Sequence, residues 1–333
     1  MNVILINPYE LGRQPFGLAE PAAWLQRDGC TVRCCDLSIQ KLEDVLTGDT
    51  ELVAIYIAMH TATRIAVEAL PKIRSLAPRA ELCVYGLYAP MNAGLFRSQG
   101  VNTILGGEFE PGLLSLVQRI RAGEGDSQTE PVVNLGKIGF IAPSRDTLPP
   151  LDRYASLILP DGTRQTVGFA ETTRGCKYHC RHCPVVPVYQ GTFRAIPADI
   201  VLDDIRSQAA EGAQHISFGD PDFFNGPGHA LRIVRAMHHE FPELTYDATI
   251  KIEHIVNYPD EIRELGATGC LFIISAVEAV DDDILDLLDK GHTREDFITS
   301  LGFLRQTGIA LSPTFVAFTP WTTLEGYLRL LQD

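Results

Sequence analysis

A chain of 333 residues, 45% hydrophobic and 21% charged, has the make-up of an ordinary globular protein with length enough for two cores. Its formal net charge of −14 argues against a nucleic-acid partner, because phosphate binding needs clustered Lys and Arg. No apolar run approaches the roughly 20 residues that span a bilayer, and 8 cysteines in this length do not read as a disulfide framework, so a cytoplasmic protein without membrane contact is expected.

Met1 to Asn7 has no basic lead and no small-residue cleavage site, and reads as a strand rather than a signal peptide. Residues 1–122 then alternate apolar strand runs (Asn2–Ile6, Thr31–Asp36, Leu52–Ala58, Glu81–Tyr85, Thr103–Leu105) with amphipathic stretches (Gly17–Asp28, Thr61–Ser75, Met91–Ser98, Pro111–Arg121). Such alternation predicts βαβ units: a doubly wound parallel sheet of Rossmann type, with ligands at the carboxyl ends of the strands. Cys30, Cys34, Cys35 and Cys83 fall in strands and helix ends and read as packing residues. Adjacent Cys34 and Cys35 cannot share one face of a strand. Residues 123–160 are rich in Gly, Pro and Asp, beginning Gly123-Glu124-Gly125-Asp126, and are expected to be a linker with a short hairpin (Val132–Leu135, Phe140–Ala142).

From residue 161 to 333 the alternation restarts. Strands are predicted at Gly168–Glu171, His215–Phe218, Thr245–Ile250, Leu271–Ser275 and Ala310–Phe318. Helices are predicted at Pro197–Glu211, Gly228–Phe241, Pro259–Leu265, Asp282–Leu288, Arg294–Gln306 and Leu324–Leu331. This is the pattern of a βα barrel with its chemistry at the carboxyl strand ends. It stops after a fifth βα unit, so a partial, truncated barrel with an open edge strand is expected.

The densest chemistry lies just after the first of these strands, where Cys176, Cys180 and Cys183 stand at a three-then-two spacing. Three thiolates on one loop can hold three irons of a 4Fe-4S cluster and leave the fourth iron open to a small molecule. The alternative is a Cys₃His zinc site completed by His179 or His182, in a non-catalytic or scaffold protein.

The Cys176–Cys183 spacing resembles that of the radical S-adenosylmethionine (SAM) superfamily. The first domain resembles the cobalamin-binding-like domain that precedes many of its barrels, on Asn7-Pro8, Phe16-Gly17-Leu18, Asp36-Leu37 and Gly106-Gly107-Glu108-Phe109-Glu110-Pro111. The likeness is densest at 168–194 and 214–292. It runs closest to a group named for a CUAEP/CCAEP carboxyl-terminal tail, through Cys-Arg-His-Cys-Pro-Val-Val-Pro-Val-Tyr and Phe-Gly-Asp-Pro-Asp-Phe, although no such tail is present.

The resemblance implies a 4Fe-4S cluster on the three cysteines, with SAM completing it. It implies further SAM contacts from His182 (adenine), from Asp220 or Asp222 (amino group), from Lys251 (carboxylate) and from Ser275 and Glu278 in Ser275-Ala276-Val277-Glu278, the glutamate meeting the ribose. Thr249, Lys251 and Glu253 would alternate toward the barrel mouth. Lys290-Gly291-His292-Thr293 matches a helix link common in these relatives. Cobalamin is implied as well, without the Asp-x-His-x-x-Gly motif that supplies a cobalt ligand in some relatives; a first domain without the cofactor is the alternative. The expected activity is reductive cleavage of SAM to start radical chemistry, as methyl transfer if cobalamin binds. An aminocarboxypropyl transfer from the same cofactors is the second reading. An electron donor such as flavodoxin or ferredoxin is the implied partner.

Overall fold

Six apolar runs of the first half become strands in a computed structural model that describes residues 1–124 and 129–332. They are β1 (Asn2–Asn7), β2 (Thr31–Asp36), β3 (Leu52–Tyr56), β4 (Glu81–Tyr85), β5 (Thr103–Gly107) and β6 (Val133–Asn134). All pair in parallel, in the order β2-β1-β3-β4-β5-β6, with Ile6 opposite Ile55 and Ile55 opposite Val84. Strand order reverses at β1, as in a doubly wound sheet.

Both faces of this sheet are covered, so its strands read as continuous apolar runs rather than alternating ones. Ile4, Ile6, Ile55, Val84 and Ile104 pack one core with Ala66, Leu70 and Ile73 of helix His60–Leu76. Val3, Leu5, Ala54 and Tyr85 pack the other with Leu18 and Leu25 of helix Phe16–Arg27 and Leu113 and Val117 of helix Glu110–Ala122. Cys34 and Cys35 enter opposite cores, and burial pushes both thiols up to about 12.

The expected hairpin does not form. Val133–Asn134 extends the sheet beside Gly106–Gly107 instead, and residues 140–142 have no regular structure. Gly107 permits this at φ +68°, since a Cβ there would lie 2.2 Å from the Asn134 carbonyl oxygen. Two bonds then lock the pair: Glu108 N–H to the Asn134 carbonyl (2.8 Å) and Asn134 Nδ2 to the Glu108 carbonyl (3.1 Å). Further on, Arg145 donates to Gln14 Oε1 (2.6 Å) and Thr147 to Cys34 Sγ (3.1 Å), so this stretch packs on the first unit, which comprises Met1–Ser156 with Pro187–Tyr189. Gly125 and Asp126 of the turn-rich start of the connector lie outside the described residues.

The second unit comprises Leu157–Val186 and the chain from Gln190. Its large sheet draws on β7 (Ser156–Ile158) and β8 (Arg164–Ala170). A small antiparallel ribbon follows, β9 (Thr173–Gly175) with β10 (Phe193–Ala195), pairing Gly175 with Phe193 and pinning both ends of the cysteine loop. β11 (His215–Phe218), β12 (Thr245–Thr249), β13 (Cys270–Glu278) and β14 (Ala310–Phe315) complete the large sheet in the order β14-β13-β12-β11-β8-β7. From β8 to β14 every pairing is parallel, which makes the partial barrel expected of the second half.

One expected strand segment is corrected. β12 ends at Thr249 and a short helix, Ile252–Asn257, begins with Lys251 as its cap. Ile252 and Ile255, one turn apart, are buried while Val256 and Asn257 are exposed, so the helical turn replaces the strand-like run and Glu253 sits on the helix. Among the described residues no helix is long and apolar enough to cross a membrane.

Candidate active site

Two threonines after β8, Thr172 and Thr173, are tied to Asp220, and Gly175 at φ +72° then turns the chain out of β9. Only glycine takes that conformation at little cost, and it releases Cys176 through Cys183 as a loop. Cys180 is buried; Cys176 and Cys183 are half-buried. Burial pushes the Cys176 thiol up to about 11 against a backbone N–H that favours its anion, and burial raises Cys183 as well. Thiols so placed become thiolate ligands when a positive metal centre offsets that penalty.

All three cysteines line one cavity of about 260 Å³, walled further by His182, Asp222, Lys251, Glu278 and Lys290. A loop after β8 and the carboxyl ends of β11, β12 and β13 thus converge on one space.

Glu278 closes β13 at φ +73°, just beyond a register shift in the β13–β14 pairing. Its Oε1 accepts a hydrogen bond from His182 Nε2 at 2.9 Å and lies 3.5 Å from Lys290 Nζ. Burial pushes the carboxyl up, but the His182 bond and the Lys290 charge outweigh it and hold it below the usual glutamate value. Lys290 was embedded in a motif to which sequence reasoning attached no ligand role. Its neighbours Asp289 (φ +56°) and Gly291 (φ +74°) both take the left-handed conformation and turn it back toward Glu278. The available signal was that glycine.

Asp222 lines the cavity, whereas Asp220 does not. Asp220 is spent on the chain before the loop: it accepts from Thr172 N–H (3.0 Å), Thr172 Oγ1 (2.7 Å) and Thr173 Oγ1 (2.6 Å). Burial pushes its carboxyl up to about 6 even against those three donors. Asp222 Oδ2 instead accepts from His254 Nε2 at 2.9 Å, and Tyr178 Oη lies 3.1 Å from the same nitrogen. Lys251 Nζ pairs with Glu253 at 2.9 Å and stands 3.3 Å over the Tyr178 ring, a cation–π contact that holds the lysine at the cavity wall. Tyr178 and His254 were not anticipated: one falls between cysteines, the other on a helix too short to show a period.

Ser275 is also corrected. Side chains alternate along β13, so Ala276 and Glu278 line the cavity while Ser275 lies buried on the opposite face. The histidines of a closed Cys₃His site are engaged elsewhere, His182 with Glu278 and His179 packed over Gly191, whose added Cβ would lie 2.4 Å from its Nε2. Among the described residues no three Cys, His, Asp or Glu side chains gather closely enough to hold a single metal ion. A zinc ion would need its sulfurs about 3.8 Å apart by tetrahedral geometry, whereas a cluster spreads its thiolates over separate irons. Three thiols on one loop, lining one cavity, match the donor count of a cluster that takes one thiolate on each of three irons.

Residues 170–322 match the family model of the Radical SAM superfamily. Hopanoid C-3 methylase from Methylococcus capsulatus is 22% identical over 325 residues, covering 92% of this chain and 62% of that protein. Among solved structures, the radical SAM methyltransferase TsrM from Kitasatospora setae, with cobalamin and a 4Fe-4S cluster bound, aligns with a TM-score of 0.77 at 19% identity, over 99% of this chain and 69% of that one. The cobalamin-dependent radical SAM enzyme OxsB with aqua-cobalamin aligns at 0.71 and 16% identity, over 99% of this chain and 51% of that one. The chain thus spans less than two thirds of the length of hopanoid C-3 methylase and about half that of OxsB.

Proposed function

Because residues 170–322 carry a radical SAM domain, we propose that the chain works as a radical SAM enzyme. Cys176, Cys180 and Cys183 would hold a 4Fe-4S cluster, and SAM would take the remaining iron. The observation that carries this is the shared cavity: three thiols, two carboxylates and two ammonium groups around one space. When bound, cluster and SAM supply the electron and the scissile carbon–sulfur bond.

The chain's own residues orient the cofactor. Asp222 accepts hydrogen bonds from the amino group, a charge-assisted contact. Lys251, fixed over Tyr178, faces the carboxylate. Glu278 meets the ribose hydroxyls, and His182 lies beside the adenine. The His182 bond and the Lys290 charge keep Glu278 ionised, so the carboxylate remains an acceptor only.

Cobalamin belongs to the proposal through the fold, since TsrM and OxsB both hold it, and methyl transfer is then the reaction class. The glycines of the matching loops do not themselves form a corrin cradle. Tyr56 lies within 2.2 Å of where a Gly17 Cβ would be, and Pro90 within 2.2 Å at Gly106. A flavodoxin or ferredoxin would deliver the electron, in the cytoplasm.

Anaerobic reconstitution with iron and sulfide, followed by electron paramagnetic resonance with and without SAM, tests the reading. A SAM-dependent change in a 4Fe-4S signal is expected, while uptake of zinc alone with no response to SAM would sink it. Release of 5′-deoxyadenosine rather than methylthioadenosine separates radical initiation from aminocarboxypropyl transfer. Retained cobalamin is read from the absorption spectrum of the whole chain.

A further inference from the structure

Beyond its two aspartates, the turn after β11 carries Asn225, to which the proposed function gives no part. Its side-chain amide reaches the cysteine loop on both sides of Cys176. Oδ1 accepts the backbone N–H of Lys177 at 3.1 Å, and Nδ2 donates to the Gly175 carbonyl at 3.1 Å. The partners dictate which way the amide points, because an N–H needs an acceptor and a carbonyl a donor. A return contact comes from the loop: Lys177 Nζ donates to the Asn225 carbonyl at 3.2 Å.

Asn225 is only 4% exposed, so water does not readily replace either bond. One of its anchors, Gly175, is the left-handed residue that starts the loop. The amide therefore fixes both peptide groups that flank Cys176, and with them the direction of its Cα–Cβ bond. The amide accepts on one side and donates on the other; a carboxylate only accepts and an alkyl group does neither.

We propose that Asn225 is a positioning residue for Cys176, aiming that thiolate at the cluster and setting how firmly its iron is held. The inference rests on the cluster reading of the loop. It concerns a residue that does not line the cavity, and it acts as metal-site partners outside the ligand set do, by fixing ligand orientation.

The test compares the whole wild-type chain, reconstituted anaerobically, with Asn225→Asp and Asn225→Ala. Asn225→Asp keeps the size and the acceptor for Lys177 but sets a carboxylate oxygen against the Gly175 carbonyl. Leu265→Ala, on the helix Pro259–Ala267, destabilises the same unit without a substitution in the loop. Both Asn225 variants should lose iron to a chelator about tenfold faster than wild type or more, with altered g-values of the reduced cluster. Leu265→Ala should leave g-values and release rate unchanged. A folded Asn225→Asp chain with wild-type g-values and release rate overturns the proposal. Equal acceleration by Leu265→Ala overturns it too, since the effect would then be one of stability. A wild-type chain that forms no 4Fe-4S cluster fails at the underlying reading, and the role of Asn225 falls with it.

Discussion

Glu278 combines two features that pull its substitutions in opposite directions. Its side chain, 9% exposed, pairs with Lys290, whose side chain is 5% exposed, and its backbone stands at φ +73°. Removing one partner of a buried ion pair costs about 3–5 kcal/mol. His182 on the other side is 30% exposed and water reaches it, so about 2–3 kcal/mol is the better figure here. The left-handed backbone costs a residue with a Cβ about 1–2 kcal/mol, which glycine does not incur. Glu278→Ala should therefore destabilise the second unit by about 2–3 kcal/mol, and Glu278→Gly by about 1 kcal/mol less. That order is the reverse of the ordinary one, in which glycine in a strand is the weaker by about 0.5–1 kcal/mol. Pulsed hydrogen exchange in a urea series, read by mass spectrometry on peptides from β11 to β13, gives each stability. A glycine variant no more stable than the alanine variant would refute the strained backbone. Two variants as stable as wild type would refute the buried pair.

Three more outcomes follow from the geometry. Asp220 has its folded pKa raised from 3.8 to about 6, so it stabilises the fold fully below its unfolded value and that stability is lost as pH rises through about 6. At 1.36 kcal/mol per unit this is about 3 kcal/mol in full, of which about 2 kcal/mol falls between pH 4 and 6; the stability difference between wild type and Asp220→Asn should shift by about that much over this range, and parallel profiles would refute it. Gly107→Ala places a Cβ 2.2 Å from the Asn134 carbonyl oxygen, and should cost about 2–4 kcal/mol. It should also speed hydrogen exchange at Val133–Asn134, with protected amides there counting against the β5–β6 pairing. Lys251→Met removes the cation over Tyr178 and should weaken SAM binding in the reconstituted protein about tenfold, with iron content unchanged. Calorimetry reads the first, and loss of iron instead would assign Lys251 to the loop's integrity.

That the cysteines and Glu278 face one cavity was legible because each stands in a short local pattern, a fixed spacing or a strand-end motif. The choice between Asp220 and Asp222 was not. Both are carboxylates in one tight turn, and nothing within several residues of either distinguishes them. What separates them is Thr172 and Thr173, some 47 to 48 residues earlier in the chain, which occupy one carboxylate and leave the other to His254 and the cavity. Ser275 failed for a different reason: the strand was placed, but its facing was not, and one residue of phase sends a side chain to the other side of the sheet. The sheet of the first unit was readable from its apolar runs, yet the hairpin expected after it was not found, because Gly107 accepts a parallel partner that only its φ and the Asn134 carbonyl reveal. These cases share a cause. Chemistry type is written in residue identity, whereas assignment among equivalent residues is written in partners far away in sequence. The Phe218–Asn225 turn carries that furthest: it supplies Pro221 and Asp222 to the cavity wall, and spends Asp220 and Asn225 on holding the loop that bears the cysteines. A motif first weighed for what it offers a ligand is, at two of its three polar side chains, a clamp on its neighbour.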